Sequence, residues 1–234
     1  AVSDLGFERL TRVQAEVLPL SLDGRDVVAQ AQTGSGKTAA YLLTVFSRML
    51  ATERRSAIEN PRALIVAPTR ELAVQIASDA DKLGSHSDFR VHVVFGGIDY
   101  KKQRDRFASG VDLLIGTPGR LIDYHRQGAY SLRDTEMVVV DECDRLFDMG
   151  FAEDLRWLLH RMPYTDKRQS LMFTATLSRR VMRLGWREMT DPAEIVINAD
   201  QLTPETVHQE LYHVASHEKL SLLLGLLKRE GGER

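Results

Sequence analysis

The sequence predicts an α/β fold, a mostly parallel central sheet flanked by helices, on three observations. Short runs rich in Val, Ile and Leu recur along the chain, several of them lack polar alternation, and amphipathic helical segments fall between them. Strands covered on both faces read as continuous apolar runs, and strands alternating with helices are the mark of parallel βαβ units. Ligands of such sheets bind beyond the carboxyl ends of the strands, so the loops after each run are where chemistry is sought.

The predicted strands are residues 27–29, 64–67, 91–95, 113–115, 137–140, 171–173 and 195–197. After the first, residues 37–50 place Ala40, Leu43, Phe46 and Leu50 at helical spacing. Residues 51–61 are polar and charged and read as a surface loop. Past residue 197 the stretch NADQLTPET carries turn formers and a proline, which puts a domain boundary near Gln201. Residues 1–200 are then one domain, and 201–234 a linker with the start of a second. In that second part, 210–214 reads as a strand and 218–228 as an amphipathic helix. One strand and one helix cannot bury their own apolar faces.

The 234 residues carry 31 Lys and Arg against 33 Asp and Glu, a formal charge of −2, with 43% hydrophobic and 27% charged residues. This is the composition of an ordinary globular protein and excludes global disorder, collagen and coiled coil. No apolar run approaches the roughly 20 residues of a membrane span. The start AVSDLGFERL lacks the basic and apolar regions of a secretory signal, and Cys143 is the only cysteine, so a cytoplasmic location is expected. His213 and His217 have helical spacing, but two ligands without a third mark a surface rather than zinc. A near-neutral charge confines any nucleic-acid contact to a local patch.

Residues 31–38 read AQTGSGKT between the first predicted strand and the first long helix. This is the phosphate-loop pattern with Ala31 in the first glycine position. Gly34 and Gly36 let the backbone curl with its amides inward, and Thr33 and Ser35 extend that cradle. The helix N-terminus adds a favourable field for polyphosphate. Lys37 is placed to meet the β- and γ-phosphates and Thr38 to ligate magnesium. A strand ending in Asp141-Glu142-Cys143-Asp144 supplies the partner carboxylates. Asp141 suits magnesium, usually through water, and Glu142 suits the base that orients an attacking water.

With DECD at 141–144 the chain resembles the DEAD-box family of ATP-dependent RNA helicases, whose other motifs follow in order. They are GFERLTRVQ at 6–14, APTRELA at 67–73, Gly96-Gly97, TPGR at 117–120 and TAT at 174–176. The resemblance spans nearly the whole chain, and GRDVVAQAQTGSGKT, PRALIVAPTRELAVQIASDA and GVDLLIGTPGRLIDY look most like the bacterial RhlB type. It implies a three-layer, RecA-like P-loop NTPase domain that uses ATP and magnesium.

By the same resemblance, Gln14 reads the adenine edge and Phe7 stacks on the ring, with a plain core aromatic the alternative for Phe7. Leu10 and Arg12 stand where the family usually has prolines. Thr69, Arg70, Gly97, Thr117, Gly119 and Arg120 correspond to RNA-backbone contacts, which carry little base information. Helix caps and surface or ion-paired arginines are the alternatives there. Asp144, Thr174 and Thr176 correspond to the group coupling hydrolysis to RNA handling, with TAT in place of the usual SAT. Cys143 replaces the alanine of the box and reads as an inert buried side chain. A second RecA-like domain supplies the arginine finger in this family, so the chain alone is expected to bind nucleotide and barely hydrolyse it. The implied partners are RNA, that second domain and an RNA-decay complex. The weaker readings are a double-stranded-DNA translocase, against which PTRELA and TPGR argue, and a nucleotide-gated RNA clamp.

Overall fold

The structure, a computed structural model, describes residues 1–54, 57–97, 100–197 and 210–229. Contacts divide the chain into two compact units, Ala1–Asn198 and Ala199–Arg234. The boundary expected near Gln201 lies outside the described residues, as does part of the loop expected at 51–61.

In the first unit seven strands form one sheet. They are β1 (Val27–Gln30), β2 (Ala63–Val66), β3 (Val91–Val94), β4 (Leu113–Gly116), β5 (Met137–Val140), β6 (Gln169–Thr174) and β7 (Ala193–Val196). Their order is β3-β4-β2-β5-β6-β1-β7, and every ladder is parallel. Each predicted run falls on one strand, with ends displaced by up to two residues, because pairing with neighbours decides where a strand stops. Residues of β2, β4, β5 and β6 are buried at every position, which is why those runs show no alternation.

The helices are α1 (Arg12–Leu22), α2 (Lys37–Ala51), α3 (Arg70–Leu83), the short α4 (Tyr100–Asp105), α5 (Pro118–Arg126), α6 (Cys143–Asp148), α7 (Ala152–Leu159) and α8 (Arg179–Glu188). Successive strand side chains point to opposite faces. Met137 and Val139 of β5 therefore join the core under α1, α2 and α3, whereas Val138 and Val140 join the core under α5, α6, α7 and α8. The result is three layers.

The amino ends of the strands are pinned by buried polar groups. Arg62 donates to the carbonyls of Met49 and Thr52 and to the Glu136 carboxylate. Asp26, just before β1, accepts from the amides of Ser170 and Thr190, both at 2.7 Å. The carboxyl ends carry the motifs: AQTGSGKT follows β1, APTRELA β2, Gly96-Gly97 β3, TPGR β4, DECD β5 and TAT the end of β6. Structure at one end frees the other for chemistry.

In the second unit, residues 210–214 form no strand, contrary to the sequence expectation. A ladder needs a partner, and the described part of this unit holds no other extended segment. The expected helix is present as α9 (Lys219–Arg229), with Leu220, Leu223, Leu224 and Leu227 each more than half exposed. Among the described residues no helix is long and apolar enough to cross a membrane.

Candidate nucleotide site and nucleic-acid surface

The loop between β1 and α2 curls through two glycines. Gly34 and Gly36 hold φ of +83° and +92°, where side chains other than glycine are strained. At Gly36 the space is closed as well, since a Cβ would lie 2.7 Å from Gln14 Nε2 and 2.9 Å from Thr11 Oγ1. Lys37 opens α2 directly after this turn. Its ammonium is buried, 3.2 Å from Asp141 Oδ1, yet makes no hydrogen bond among the described residues. The ion pair holds the ammonium in place without satisfying its donors. An ammonium has three donors, and a buried one with none of them spent is a group that a phosphate oxygen would complete.

Beside it opens a cavity of about 510 Å³ lined by Glu142 and by seven of the eight predicted nucleotide contacts: Phe7, Gln14, Thr33, Gly34, Gly36, Lys37 and Thr38. Ser35, the eighth, sits at the exposed tip, its hydroxyl donating to the Gln32 carbonyl at 2.7 Å. Phe7 is 46% exposed, which removes the core-aromatic alternative. Gln14 is buried and partly committed. Its Oε1 accepts from the Thr11 amide at 2.9 Å, the reciprocal half of a capping box, and its Nε2 donates to the Gly36 carbonyl at 3.0 Å. A carboxamide has two lone pairs and two N–H groups, so one acceptor and one donor remain.

Asp141, at the end of β5, is fully buried. Its Oδ1 faces Lys37 and accepts from the Glu142 amide at 2.9 Å, and its Oδ2 accepts from the Tyr41 hydroxyl at 2.9 Å. Burial raises the carboxyl above its usual pKa, while Lys37, the Tyr41 hydroxyl and the Glu142 amide pull against that rise. Glu142 adopts a left-handed φ of +47°, a strain that concentrates at functional sites. Thr33 Oγ1 donates to its Oε1 at 3.4 Å and Arg145 to its Oε2 at 3.1 Å, so both oxygens are held.

Tyr41 is the member of this site that sequence reasoning missed. Its position four residues after Lys37 puts both side chains on one face of α2. Tyr41→Phe should therefore destabilise the fold by roughly 1–3 kcal/mol, the cost of leaving a buried acceptor unsatisfied. A thermal melt of the variant equal to that of the parent chain would show that Asp141 does not depend on this donor.

Two further groups of predicted residues lie at the carboxyl edge. Asp144 Oδ2 accepts from the Thr176 amide at 2.8 Å and from the Thr176 hydroxyl at 3.0 Å, and the Thr174 hydroxyl donates to the Thr176 carbonyl at 3.0 Å. Burial opposes ionisation of Asp144, but the bonds from Thr176, Arg145 and Thr174 outweigh it and hold the carboxyl below its usual range. Cys143 is buried, and burial, aided by Asp144, pushes its thiol up and away from reactivity. On the β2, β3 and β4 side, Thr69 caps α3, its hydroxyl oxygen accepting from the Leu72 amide at 3.3 Å. Arg70 lies over the Phe95 ring at 4.9 Å and beside Gly97, where a Cβ would stand 3.6 Å from Arg70 Nη1. Arg120 stacks on Tyr100 at 4.8 Å and donates to the Tyr124 hydroxyl at 3.2 Å. Thr117 precedes α5 without a side-chain cap, and Gly119 has open space where a Cβ would be. Both arginines thus lean on rings, with no carboxylate partner among the described residues.

The comparison with known proteins reads the same edge. Residues 11–184 match the family described as DEAD/DEAH box helicase. The chain belongs to this family. This DEAD-box chain is 49% identical over 234 residues to the ATP-dependent RNA helicase RhlB of Xanthomonas axonopodis pv. citri (strain 306), covering 98% of this chain and 41% of that protein. It is 47% identical to the RhlB of Idiomarina loihiensis (strain ATCC BAA-735 / DSM 15497 / L2-TR), covering 98% of this chain and 54% of that protein. The chain therefore spans about half, or less, of the length of these relatives. Among solved structures it is similar to the yeast DEAD-box splicing factor Prp28, with a TM-score of 0.79 and 30% identity over 86% of this chain and 48% of the other. A hypothetical ATP-dependent RNA helicase from Sulfolobus tokodaii gives a TM-score of 0.73 and 35% identity over 83% and 55%. The DEAD-box motifs of this chain depart from the usual pattern at Cys143 and Thr174, and both side chains are buried where they stand.

Proposed function

We propose that this chain is the ATP-binding, RecA-like domain of an ATP-dependent RNA helicase of the RhlB type. In this reading it opens short RNA duplexes only together with a second RecA-like domain. The observation that carries the reading is the Lys37 ammonium, buried 3.2 Å from Asp141 with no hydrogen bond spent, beneath a loop curled by Gly34 and Gly36. That donor set fits a nucleotide polyphosphate. Lys37 and the amides of residues 33–38 hold the phosphates, while Thr38 and, through water, Asp141 hold a magnesium ion. Such an ion would supply positive charge to the phosphoryl group being transferred.

Glu142, its two oxygens already oriented, positions the attacking water and takes its proton. Gln14 uses its remaining donor and acceptor on the adenine edge, and Phe7 stacks on the ring. Thr69, Arg70, Gly97, Thr117, Gly119 and Arg120 contact the RNA backbone without reading bases. The Asp144, Thr174 and Thr176 bonds join the strand end carrying Glu142 to the strand end facing RNA, and so couple the two events. Residues 201–234 are the linker and the opening of the second domain, whose remainder would cover the four exposed leucines of α9. The RhlB likeness further suggests cytoplasmic work alongside an RNA-decay complex.

Steady-state ATPase assays and calorimetry of the 234-residue chain test this reading. Expected are binding of ADP with magnesium and negligible turnover, with or without RNA. The arginine finger of such enzymes is worth about 10³–10⁵ in rate, and the family places it in the second domain. Robust RNA-stimulated hydrolysis by this chain alone would overturn the two-domain dependence, and failure to bind nucleotide would overturn the whole reading.

A further inference from the structure

The groove between α7 and α8 is built unlike the rest of the surface. α8 reads RRVMRLGWRE, with Val181 and Leu184 buried against the sheet. Arg180, Arg183 and Arg187 recur at three- and four-residue steps, which makes one stripe with spacings of about 4.5 and 6 Å along the axis. With Arg156 of α7 they wall a cavity of about 440 Å³ whose floor is Phe147, Ala152 and Leu184. Four of its seven lining residues are arginines and none is a carboxylate, in a chain of net charge −2. A larger cavity of about 1010 Å³ adjoins it through Arg187 and adds Arg133, Arg161 and Arg168, with Glu188 its single carboxylate.

Some of these cations are spent. Arg156 pairs with Glu153, and Arg187 lies 3.7 Å from Glu188. Arg180 and Arg183 are exposed and have no carboxylate partner among the described residues. Like charges one turn apart destabilise a helix, so such a stripe gains only when an anion meets it. None of the groove residues lines the nucleotide cavity or belongs to the set assigned to RNA.

We propose that this groove docks an acidic segment of a protein partner, with carboxylates on the arginine walls and an apolar side chain on the floor of Phe147 and Leu184. Arginine forks grip carboxylates bidentately, and charge complementarity around an apolar anchor is how peptide grooves combine specificity with affinity. The floor favours a peptide: nucleic-acid bases stack on open aromatic faces, whereas Phe147 is partly buried against the core and Leu184 almost wholly so, which leaves a shallow apolar patch that an aliphatic side chain fills. The proposal stands apart from the nucleotide reading.

The test uses fluorescence anisotropy of the 234-residue chain with a labelled peptide whose glutamates recur every third or fourth residue around leucine anchors. A second peptide has the leucines replaced by serine, and labelled poly(U) RNA serves as a third probe. The first peptide should bind. Its affinity should fall at least tenfold in the Arg180→Glu, Arg183→Glu double variant and severalfold in Phe147→Ala, and the serine peptide should bind at least fivefold more weakly than the leucine one. A far-UV circular dichroism spectrum and a cooperative thermal melt like the parent's show that the double variant keeps the fold. The proposal is overturned if the first peptide does not bind, if the charge reversal leaves its affinity unaltered, or if serine and leucine peptides bind alike. It is equally overturned if the reversal weakens poly(U) and not the peptide, which would make the groove a nucleic-acid surface.

Discussion

Replacing Lys37 with alanine is expected to cut the affinity for ATP and ADP by about thirtyfold or more. Truncating one partner of a buried charge contact costs roughly 2–5 kcal/mol, and each 1.4 kcal/mol is about a factor of ten. The same ammonium is the counter-ion of Asp141, which has no exposed surface. Its removal strands a buried carboxylate, a loss of about 3–5 kcal/mol of stability unless the group takes up a proton, as its burial already encourages. Weak binding by Lys37→Ala could then report a damaged fold. Lys37→Arg separates the two effects, because it keeps a positive charge near Asp141 but presents a planar fork where a compact ammonium is needed. Calorimetry with magnesium, paired with thermal melts, should find Lys37→Arg near the parent in stability and still poor in nucleotide binding. Parental affinity in a folded Lys37→Ala chain would remove the phosphate-loop assignment, and the motor with it.

The site was legible in the sequence wherever its chemistry is written locally. The curl at Gly34 and Gly36 needs only a strand, two glycines and a helix start within one dozen-residue stretch, all of which residues 27–38, VVAQAQTGSGKT, show on their face. The approach of Lys37 to Asp141 joins residues far apart in the chain, and no local pattern gives it; the order of the family motifs does. Tyr41 went unseen because an aromatic inside an amphipathic helix reads as core, and it is core in every respect except its hydroxyl. The spare capacity of Gln14 was invisible for a different reason, since the capping box with Thr11 that orients the amide belongs to the helix start rather than to any ligand. The strand expected at 210–214 fails because a local run states only that a segment can pair, while pairing needs a second edge. The arginine groove carries no motif, and it arises only when α8 is laid beside α7.

Arg168→Ala is expected to lower stability by about 3–5 kcal/mol, the range for breaking a buried charge network. In sequence this arginine is one cation in the run TDKR and belongs to no motif. In the fold it is buried, donating to the Leu159 carbonyl at 2.8 Å, the Pro163 carbonyl at 2.9 Å and the Glu188 carbonyl at 3.1 Å. Leu159 and Glu188 are the last residues of α7 and α8, whose terminal carbonyls have no partner within their own helices. One guanidinium thus caps two helices, favours both dipoles and stands 3.7 Å from the buried Glu188 carboxylate. Alanine removes three donated bonds at once: the Pro163 and Glu188 carbonyls lose this donor, while Leu159 keeps the Met162 amide at 3.2 Å and the Glu188 carboxylate keeps His160 at 3.3 Å. For a chain of this size each kcal/mol moves Tm by about 2–4 °C, so a fall of roughly 6–20 °C should appear in thermal melts. Arg168→Met restores the volume without the donors and should melt nearly as low, whereas Arg168→Lys returns charge without the fork and should recover only part of the loss. Nucleotide affinity should hold in each folded variant, because Arg168 lies at the amino end of β6 and the phosphate loop follows the carboxyl end of β1. A parental melting temperature for Arg168→Ala would mean that water entering through the adjoining cavity replaces the guanidinium, and that packing of α7 and α8 against the sheet holds this end of the domain without it.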